Sequence, residues 1–331
     1  MARDPGWIVP LSAGEVREIE AAIHPFERED CEIARIRRED FPLPTLGPKL
    51  ARLLEEVLEG RGFVLLRGFP VGAMSLRAAA IAFYGIGSHL GSARSQNAKG
   101  HVLGHVRDLG LRSDDPRVRI YQTRERQTFH TDSCDVVGLL CLRPAKAGGL
   151  SAQVSSVTIF NEMRRSHPDL LRLLFRPIAT DRRGEVAPGQ KPYFEIPVFN
   201  WHEGRLSAIY QRQYINSAER FPEVPRITPE LKEALDLFDR LADDPRLNFT
   251  MALEPGDMQF VHNHTILHDR TAFEDWQEPG AKRHLLRLWL APAEARPLPP
   301  VFAERYGSLK PGDRGGIILA DTRLHAPLEP V

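Results

Sequence analysis

Apolar residues recur at helical spacing in the first 60 positions of the chain. Ser12 and Glu15 have the spacing of a capping box, in which each side chain bonds the other residue's backbone N–H, so we predict a helix that runs through Ile23. A longer apolar stripe predicts a second helix that ends before Gly60 and Gly62; its members are Leu50, Leu53, Leu54, Val57 and Leu58. The N-terminal segment is therefore expected to be helical.

From residue 63 onward, short apolar runs separated by turn residues indicate strands. The first run, Phe63–Arg67, is bounded by glycines and is expected to be buried. Six more runs are predicted to be strands, at 118–122, 137–142, 206–210, 249–253, 258–261 and 285–290. Helices are predicted at about 168–175 and after Thr228-Pro229, but they do not alternate regularly with the strands. We therefore predict a mainly β fold with flanking helices (α+β), whose core is a jelly roll, the cupin-like double-stranded β-helix.

Prolines and glycines are scattered along the 331 residues, and no stretch has the composition of an interdomain linker. We expect a single domain with an N-terminal helical segment (1–60), a jelly-roll core (about 61–292) and a C-terminal tail (293–331). The tail is rich in proline and is expected to wrap around the surface.

Charge and composition exclude several classes of partner. The formal net charge is zero, which does not favour nucleic acid or an anionic membrane as a partner. The N-terminus lacks a basic segment followed by an apolar one, and no apolar run approaches the ~18 residues of a membrane span. The three cysteines are too few and too irregularly spaced for a disulfide framework. We expect a cytoplasmic protein whose partner is a small-molecule substrate, and we leave open whether it forms a homo-oligomer.

Candidate metal ligands occur in two segments. His130 and Asp132 would point to the same side of a strand and could hold one ion, although such a pair is also typical of a polar strand end. Downstream, His262, His264 and His268 share strand parity, so each could supply a third ligand or could simply hold a hydrogen bond. Two histidines and one carboxylate form the facial triad of non-haem iron(II) oxygenases, but zinc accepts the same ligands.

Two arginines lie at an unusual position, where the chain enters an apolar run. Arg283 and Arg287 would be buried there, and a buried arginine is costly unless it meets an anion. A bound carboxylate could supply that anion through two hydrogen bonds. An internal ion pair with Asp or Glu is the alternative.

Taken together and in this order, the motifs resemble those of the taurine dioxygenase (TauD/TfdA) family of iron(II)- and 2-oxoglutarate-dependent enzymes. The resemblance covers most of the chain from about Gly62 onward. It rests on Gly62-Phe-Val-Leu-Leu-Arg-Gly68, His130-Thr-Asp132, Gly148-Gly149 with Ser151, the segment from Gly256-Asp257 to His268, and Arg283.

The resemblance implies that three side chains bind iron(II), namely those of His130, Asp132 and His268. It also implies that Arg283 pairs with the far carboxylate of 2-oxoglutarate, that Ser151 assists this arginine, and that Arg287 meets an anionic group of the substrate or co-substrate. In the distal segment, His262-Asn263 stands where the family usually has Asp-Asn.

The expected reaction is oxidation of an aliphatic C–H bond of a small, anionic or amino-acid-like substrate, with 2-oxoglutarate and O2 as co-substrates and succinate and CO2 as products. Family halogenases lack the carboxylate ligand, so Asp132 favours hydroxylation, desaturation or ring closure. Asn97, Tyr121 and Arg287 are candidate substrate residues, although a turn asparagine and a sheet tyrosine are equally ordinary interpretations. The alternatives are a zinc-dependent hydrolase or lyase on a cupin-like barrel and a non-catalytic jelly-roll binding protein.

Overall fold

A computed structural model of the chain describes residues 5–28, 31–113, 118–187, 189–319 and 322–329. The two ends of the predicted domain, residues 1–4 and 330–331, lie outside these ranges. The α-helices in the described residues are α1 (Ala13–Ile23), α2 (Leu46–Leu58), α3 (Leu76–Ser88), α4 (Ser156–Ser166), α5 (Pro168–Leu173), α6 (Arg212–Ala218), α7 (Pro229–Asp243) and α8 (Ala303–Tyr306). Short 3-10 helices cover Pro5–Trp7, His24–Phe26, Ile33–Arg35, Arg38–Asp40, Val71–Ala73, Ile120–Gln122 and Pro300–Phe302.

The strands are short, and six of the seven predicted apolar runs form one. They are β1 (Ile8–Pro10), β2 (Phe63–Arg67), β3 (Ser92–Ala93), β4 (Leu103–Val106), β5 (Gln127–His130), β6 (Val136–Arg143), β7 (Ala147–Gly148), β8 (Ser151–Ser155), β9 (Ile178–Asp181), β10 (Tyr193–Ile196), β11 (Phe199–His202), β12 (Arg205–Ala208), β13 (Asn248–Met251), β14 (Met258–His262), β15 (Ile266–Arg270), β16 (Phe273–Glu274) and β17 (His284–Ala291).

One strand prediction is wrong. Residues 118–122 do not form a strand, because Ile120–Gln122 is a 3-10 helix. The side chain of Gln122 accepts a hydrogen bond from the backbone N–H of Arg119 at 3.0 Å, and the N–H of Gln122 donates to the carbonyl of Arg119 at 2.9 Å. These two local bonds close the turn, and a five-residue apolar pattern contains no sign of them.

The predicted N-terminal helices are confirmed. Ser12 caps α1, and its hydroxyl accepts from the N–H of Glu15 at 3.2 Å while the Glu15 carboxylate accepts from the N–H of Ser12 at 2.7 Å. Helix α3 was not predicted, because it is buried on all sides from Ala78 to Gly87 and so has no polar stripe.

Two antiparallel sheets form the core of the fold. The larger has the strand order β1-β2-β14-β6-β17-β3, with β4 also paired to β17, and only the β1–β2 pair is parallel. The smaller has the order β13-β8-β15-β5. Side chains of both sheets meet in one apolar cluster, in which Phe63 and Trp289 of the larger sheet pack with Phe249 and Ile266 of the smaller. This is the two-sheet arrangement of a jelly roll.

Helices cover the outer face of each sheet. Helices α1, α2 and α3 pack on the larger sheet, and α4, α5 and α7 pack on the smaller one. Because alternate side chains of a strand point to opposite faces, Leu286, Leu288 and Leu290 of β17 join the helices, while Arg287 and Trp289 point between the sheets. The space between the sheets therefore holds Arg287 beside the apolar cluster.

The C-terminal tail does not simply wrap around the surface, as was expected. Phe302, Tyr306 and Ile317 are buried, and Arg314 is fully inaccessible to solvent. The guanidinium of Arg314 donates to both carboxylate oxygens of Asp135, at 2.8–3.0 Å. The tail is thus anchored to the loop that follows β5. In the described residues no helix has the length and hydropathy needed to cross a bilayer.

Candidate active site

Strands β5 and β15 place two histidines side by side. In this antiparallel pair His268 lies directly opposite His130, and their ring centroids are 4.2 Å apart. Phe129 and Leu267, next to them in sequence, point outward into the apolar cluster under the helices. Strand alternation therefore turns both imidazoles toward the larger sheet.

Asp132 completes the group from the loop after β5. Its carboxylate lies 3.9 Å from Nε2 of His130 and 3.8 Å from Nε2 of His268, and ligand atoms from all three residues fall within 4.8 Å of one another. The strand ends at His130, so Asp132 does not share a strand face with it as the simple alternation suggested. Instead, the Asn263 side chain accepts from the Asp132 N–H at 3.1 Å and fixes the loop.

Two side chains of the larger sheet also hold the carboxylate of Asp132. Oδ2 accepts hydrogen bonds from Nε1 of Trp289 at 2.9 Å and from the Arg287 guanidinium at 3.3 Å. Burial alone would raise the pKa of Asp132, but the charge of Arg287 and the neighbouring groups lower it below its usual value. The carboxylate is therefore ionised and oriented.

Both imidazoles are neutral and present lone pairs. Burial lowers the pKa of His130, and burial together with His130 lowers the pKa of His268 to about 3. Nδ1 of His130 donates to the Thr128 carbonyl at 2.8 Å, so the lone pair is on Nε2; the Gln127 amide nitrogen lies 2.8 Å from this atom, and a bound metal would take its place. Two neutral imidazole nitrogens and one carboxylate oxygen, on one side of a shared point, suit iron(II) or zinc.

The other two histidines of the distal segment lie outside this group. Nδ1 of His262 bonds the Thr265 hydroxyl at 2.9 Å, and Nε2 of His264 bonds Asp135 at 2.8 Å. His262 ends β14 and His264 lies in the turn before β15, so the segment is not one extended strand and the three histidines do not share a face; both side chains are buried and hold hydrogen bonds in the core.

A cavity of about 490 Å³ opens beside the histidines and contains Arg283. The Arg283 side chain is only 4% exposed, its Nη1 has no hydrogen-bond partner, and burial lowers its pKa to about 10. Ser151 lines the same cavity, but its hydroxyl donates to Gln259 at 3.3 Å rather than contacting Arg283. Gly149 has φ +66°, and a Cβ at this position would lie 3.0 Å from Nε of Arg283. The glycine thus leaves room for the arginine.

A second arginine of this cavity was missed in the sequence. Arg270 lies on β15 two residues after His268, and its Nε and Nη1 are buried without a hydrogen-bond partner. Burial and the charge of Arg283 lower the pKa of Arg270 to about 9. Both guanidinium groups pack on the Phe273 ring, at 4.9 and 5.1 Å. The cavity therefore concentrates positive charge, which suits an organic anion. The position of Arg270 just after the distal histidine was the only available signal in the sequence.

A larger cavity of about 780 Å³ lies on the other side of Arg287. Arg287 and Tyr121 line both cavities, and the guanidinium packs on the tyrosine ring at 4.6 Å. Nε of Arg287 also donates to the Gln96 side chain at 2.7 Å. Asn97 lines neither cavity. It forms a turn in which its Oδ1 accepts from the N–H of Lys99 at 3.0 Å, and it lines a separate cavity with Tyr121, away from the proposed metal ligands.

Comparison with known proteins agrees with this geometry. The family model described as "Taurine catabolism dioxygenase TauD, TfdA family" matches residues 25–289. FR-33289 synthase of Streptomyces rubellomurinus (strain ATCC 31215) is 34% identical over 311 residues, which are 92% of this chain and 91% of that protein. A uridine-5'-phosphate dioxygenase of an Amycolatopsis species is 30% identical over 181 residues, which are 52% of this chain and 64% of that protein.

The fold also matches that of solved oxygenases. A crystal structure of asparagine oxygenase with Fe(II), 2S,3S-3-hydroxyasparagine and succinate aligns with a TM-score of 0.66 and 17% identity, over 86% of this chain and 93% of that chain. At this identity the match shows the fold, the jelly roll with flanking helices. The chain therefore belongs to the TauD/TfdA family and is an iron(II)- and 2-oxoglutarate-dependent dioxygenase.

Proposed function

We propose that this enzyme hydroxylates an aliphatic C–H bond of a small anionic or amino-acid-like molecule, with three residues as its iron ligands, namely His130, Asp132 and His268. One observation carries the proposal: His130 and His268 of the triad line the same cavity as the buried guanidinium of Arg283, whose Nη1 has no partner, and Asp132 lies 3.8–3.9 Å from both imidazoles. A zinc hydrolase or lyase would use the triad but would leave Arg270 and Arg283 buried beside a cavity with no anion to offset them.

The co-substrate would occupy the smaller cavity. Its far carboxylate would accept hydrogen bonds from Arg283 and, from the side of β15, from Arg270, which would supply the missing partners of both groups. When bound, iron(II) with 2-oxoglutarate and O2 supplies the oxidising power for the C–H bond and releases succinate and CO2. Leu253 and Leu285 line the cavity and would exclude water from the bound acid.

The protein's further task is to hold Asp132 and orient the substrate. Trp289 and Arg287 hold Oδ2 of Asp132, which lies 3.8 Å from Nε2 of His268, and this fixes the carboxylate so that Oδ1 lies 3.9 Å from Nε2 of His130. We assign Arg287 as a positioning residue for Asp132 that also presents positive charge to the larger cavity. We propose this larger cavity as the substrate cavity, because Asp132 and Arg287 both line it.

The relatives support the class of substrate. One is named for uridine 5'-phosphate, an anion, and the solved asparagine oxygenase contains a hydroxylated amino acid.

The described residues include three free cysteines, Cys31, Cys134 and Cys141. We further propose that the chain works in the reducing cytoplasm as a single domain, with the boundaries predicted from its sequence.

The direct test is 2-oxoglutarate turnover to succinate in the presence of iron(II) and air, measured by mass spectrometry. Even without the true substrate, enzymes of this kind should convert 2-oxoglutarate slowly, and we expect Asp132→Ala to reduce succinate formation to background. His167→Ala, which removes an exposed histidine of the surface, is the matched control and should retain the wild-type rate. Unchanged succinate formation in Asp132→Ala would refute the proposed ligand set.

A further inference from the structure

Two arginines of the substrate cavity have no task in the chemistry described above. Arg119 precedes the 3-10 helix Ile120–Gln122, and Arg305 lies on α8 in the C-terminal tail. They are 186 positions apart in the chain, yet both line the cavity that Asp132 and Arg287 also reach. A fold that brings such distant cations to one cavity places positive charge where a substrate would lie.

The environment of Arg305 leaves its charge unmatched. Nε donates to the Ser133 hydroxyl at 2.7 Å, and the guanidinium packs over the Phe194 ring at 5.4 Å. Among the residues that the structure describes, no carboxylate lies within ion-pair distance of it. Burial lowers the pKa of Arg305, because the cavity walls remove the guanidinium from water. A half-buried cation of this kind is stabilised when an anion binds to it.

Arg119 is matched in charge, and its guanidinium lines the same cavity. It forms an ion pair with Glu185, and its Nη1 donates to the Tyr214 hydroxyl at 2.7 Å. Tyr214 lines the cavity too, and since its oxygen accepts from Arg119, its own proton is available to a ligand. Arg119, Tyr214 and Arg305 thus form one donor group, which we call the arginine–tyrosine group.

The charge balance of the cavity indicates an anionic ligand. Three guanidinium groups line it, those of Arg119, Arg287 and Arg305. Glu185 pairs with Arg119, and Asp132 pairs with Arg287 at 3.3 Å while its charge is also shared with the proposed metal, so the positive charge of the cavity is in excess and Arg305 lacks a carboxylate partner among the described residues. An amino acid would bring an ammonium group as well, and in the described lining Asp132 is the one carboxylate that could receive it.

Apolar side chains form a further part of the cavity wall. Among them are Ile120, Phe194, Ile196, Val198, Ile209 and Ile215. Such a wall suits a short aliphatic chain, and the chain must reach from the donor group to the metal site for its C–H bond to react.

We propose that the arginine–tyrosine group binds a tetrahedral PO3 dianion, so that the substrate is a short aliphatic phosphonate or phosphate monoester. This inference rests on the proposed function, because it identifies the substrate class of the same site. Three equatorial oxygens can accept from Arg305, Arg119 and the Tyr214 hydroxyl together, whereas a planar carboxylate offers two.

The test is calorimetric titration of the anaerobic enzyme, loaded with iron(II) and saturating 2-oxoglutarate, at a pH where the probes are doubly charged. The probes are n-propylphosphonate, ethyl phosphate and, as a singly charged ligand of similar shape, propane-1-sulfonate. We expect one or both dianions to bind and the sulfonate to bind at least about tenfold more weakly. Binding of only one dianion would show whether a phosphonate or a phosphate ester is the natural source of the group.

Variants of the cavity residues test where the dianion binds. Arg305→Gln and Arg119→Gln should each weaken binding of the dianion by about tenfold or more, since each removes a charge-assisted hydrogen bond. Arg220→Gln is the matched control: it removes an arginine that pairs with Asp181 and lines neither cavity, and it should change the Kd less than twofold. If Arg305→Gln does not fold, Tyr214→Phe removes one donor without changing shape and should still weaken binding severalfold.

The two proposals fail separately. Absence of dianion binding, or equal affinity in Arg305→Gln, Arg119→Gln and wild type, would overturn the PO3 site even in an enzyme that binds iron(II) and 2-oxoglutarate normally. Unchanged succinate formation in Asp132→Ala would refute the proposed ligand set, and the dianion titrations would still decide the PO3 site.

Discussion

Replacing Arg283 with methionine should make the metal-free protein more stable and abolish binding of 2-oxoglutarate. The side chain is 4% exposed and its Nη1 has no partner. Burial lowers the pKa of Arg283 to about 10. An ordinary arginine has a pKa of about 12.5 and each unit corresponds to about 1.4 kcal/mol, so keeping this charge in the folded protein at neutral pH costs on the order of 3 kcal/mol.

Methionine removes that cost and fills much of the same volume, although the contact with the Phe273 ring is lost. We therefore expect the free energy of unfolding to rise by about 1–3 kcal/mol, which for a chain of this size raises the Tm by about 2–4 °C. The same change removes two charge-assisted hydrogen bonds to the co-substrate and should weaken its binding at least about 100-fold.

Two assays measure the two effects. Thermal unfolding of the metal-free protein gives the Tm, and anaerobic titration with 2-oxoglutarate in the presence of iron(II) gives the Kd. Arg172→Met on α5, whose side chain is 78% exposed, is the control and should change neither value. A lower Tm, or a Kd within threefold of wild type, would show that Arg283 is paired inside the protein and does not wait for an anion.

Three further outcomes follow from the structure. Trp289→Phe removes the 2.9 Å bond to Asp132 and should weaken iron(II) or cobalt(II) binding by roughly tenfold or more, as measured by titration; unchanged affinity would contradict the positioning role. Asp135→Ala leaves the fully buried Arg314 without its partner and should cost about 3–5 kcal/mol in urea unfolding; a cost under ~1 kcal/mol would contradict it. Burial raises the pKa of Asp135, but hydrogen bonds from His264 and Arg314 outweigh it and hold that pKa below its usual value. The stability contributed by this carboxylate is therefore present at neutral pH and lost as the pH falls through its folded pKa; a flat acid limb that is identical in Asp135→Asn would refute this.

The elements that sequence reasoning predicted are those whose pattern is local. The capping box at Ser12 and the apolar stripe of α2 are visible because one face of each helix is polar. Helix α3 lacks such a face, because it lies between the larger sheet and the N-terminal helices. At 118–122 the side chain of Gln122 closes a turn, and this contact outweighs the strand-like composition.

The residues of the candidate site also fall into two groups, those that local sequence motifs predicted and those that only the packing reveals. His130, Asp132 and His268 were recognisable because their spacing and order form motifs, and the structure brings them together. Arg119 and Arg305 were not, since each is one of 44 basic residues and nothing near it in the sequence is distinctive. Only the packing of the tail against the loop after β5 gives them a shared cavity.

The measurement that tests the central claim most directly is an anaerobic titration of the metal-free protein with iron(II) and 2-oxoglutarate, monitored by visible absorption. The weak charge-transfer band of the iron–2-oxoglutarate chelate should appear in the wild type and be absent in His268→Ala. His262→Gln, a change in a core histidine outside the ligand group, should retain the band if it folds. No band in a folded wild-type protein that binds zinc instead would contradict the proposed centre and favour a hydrolase.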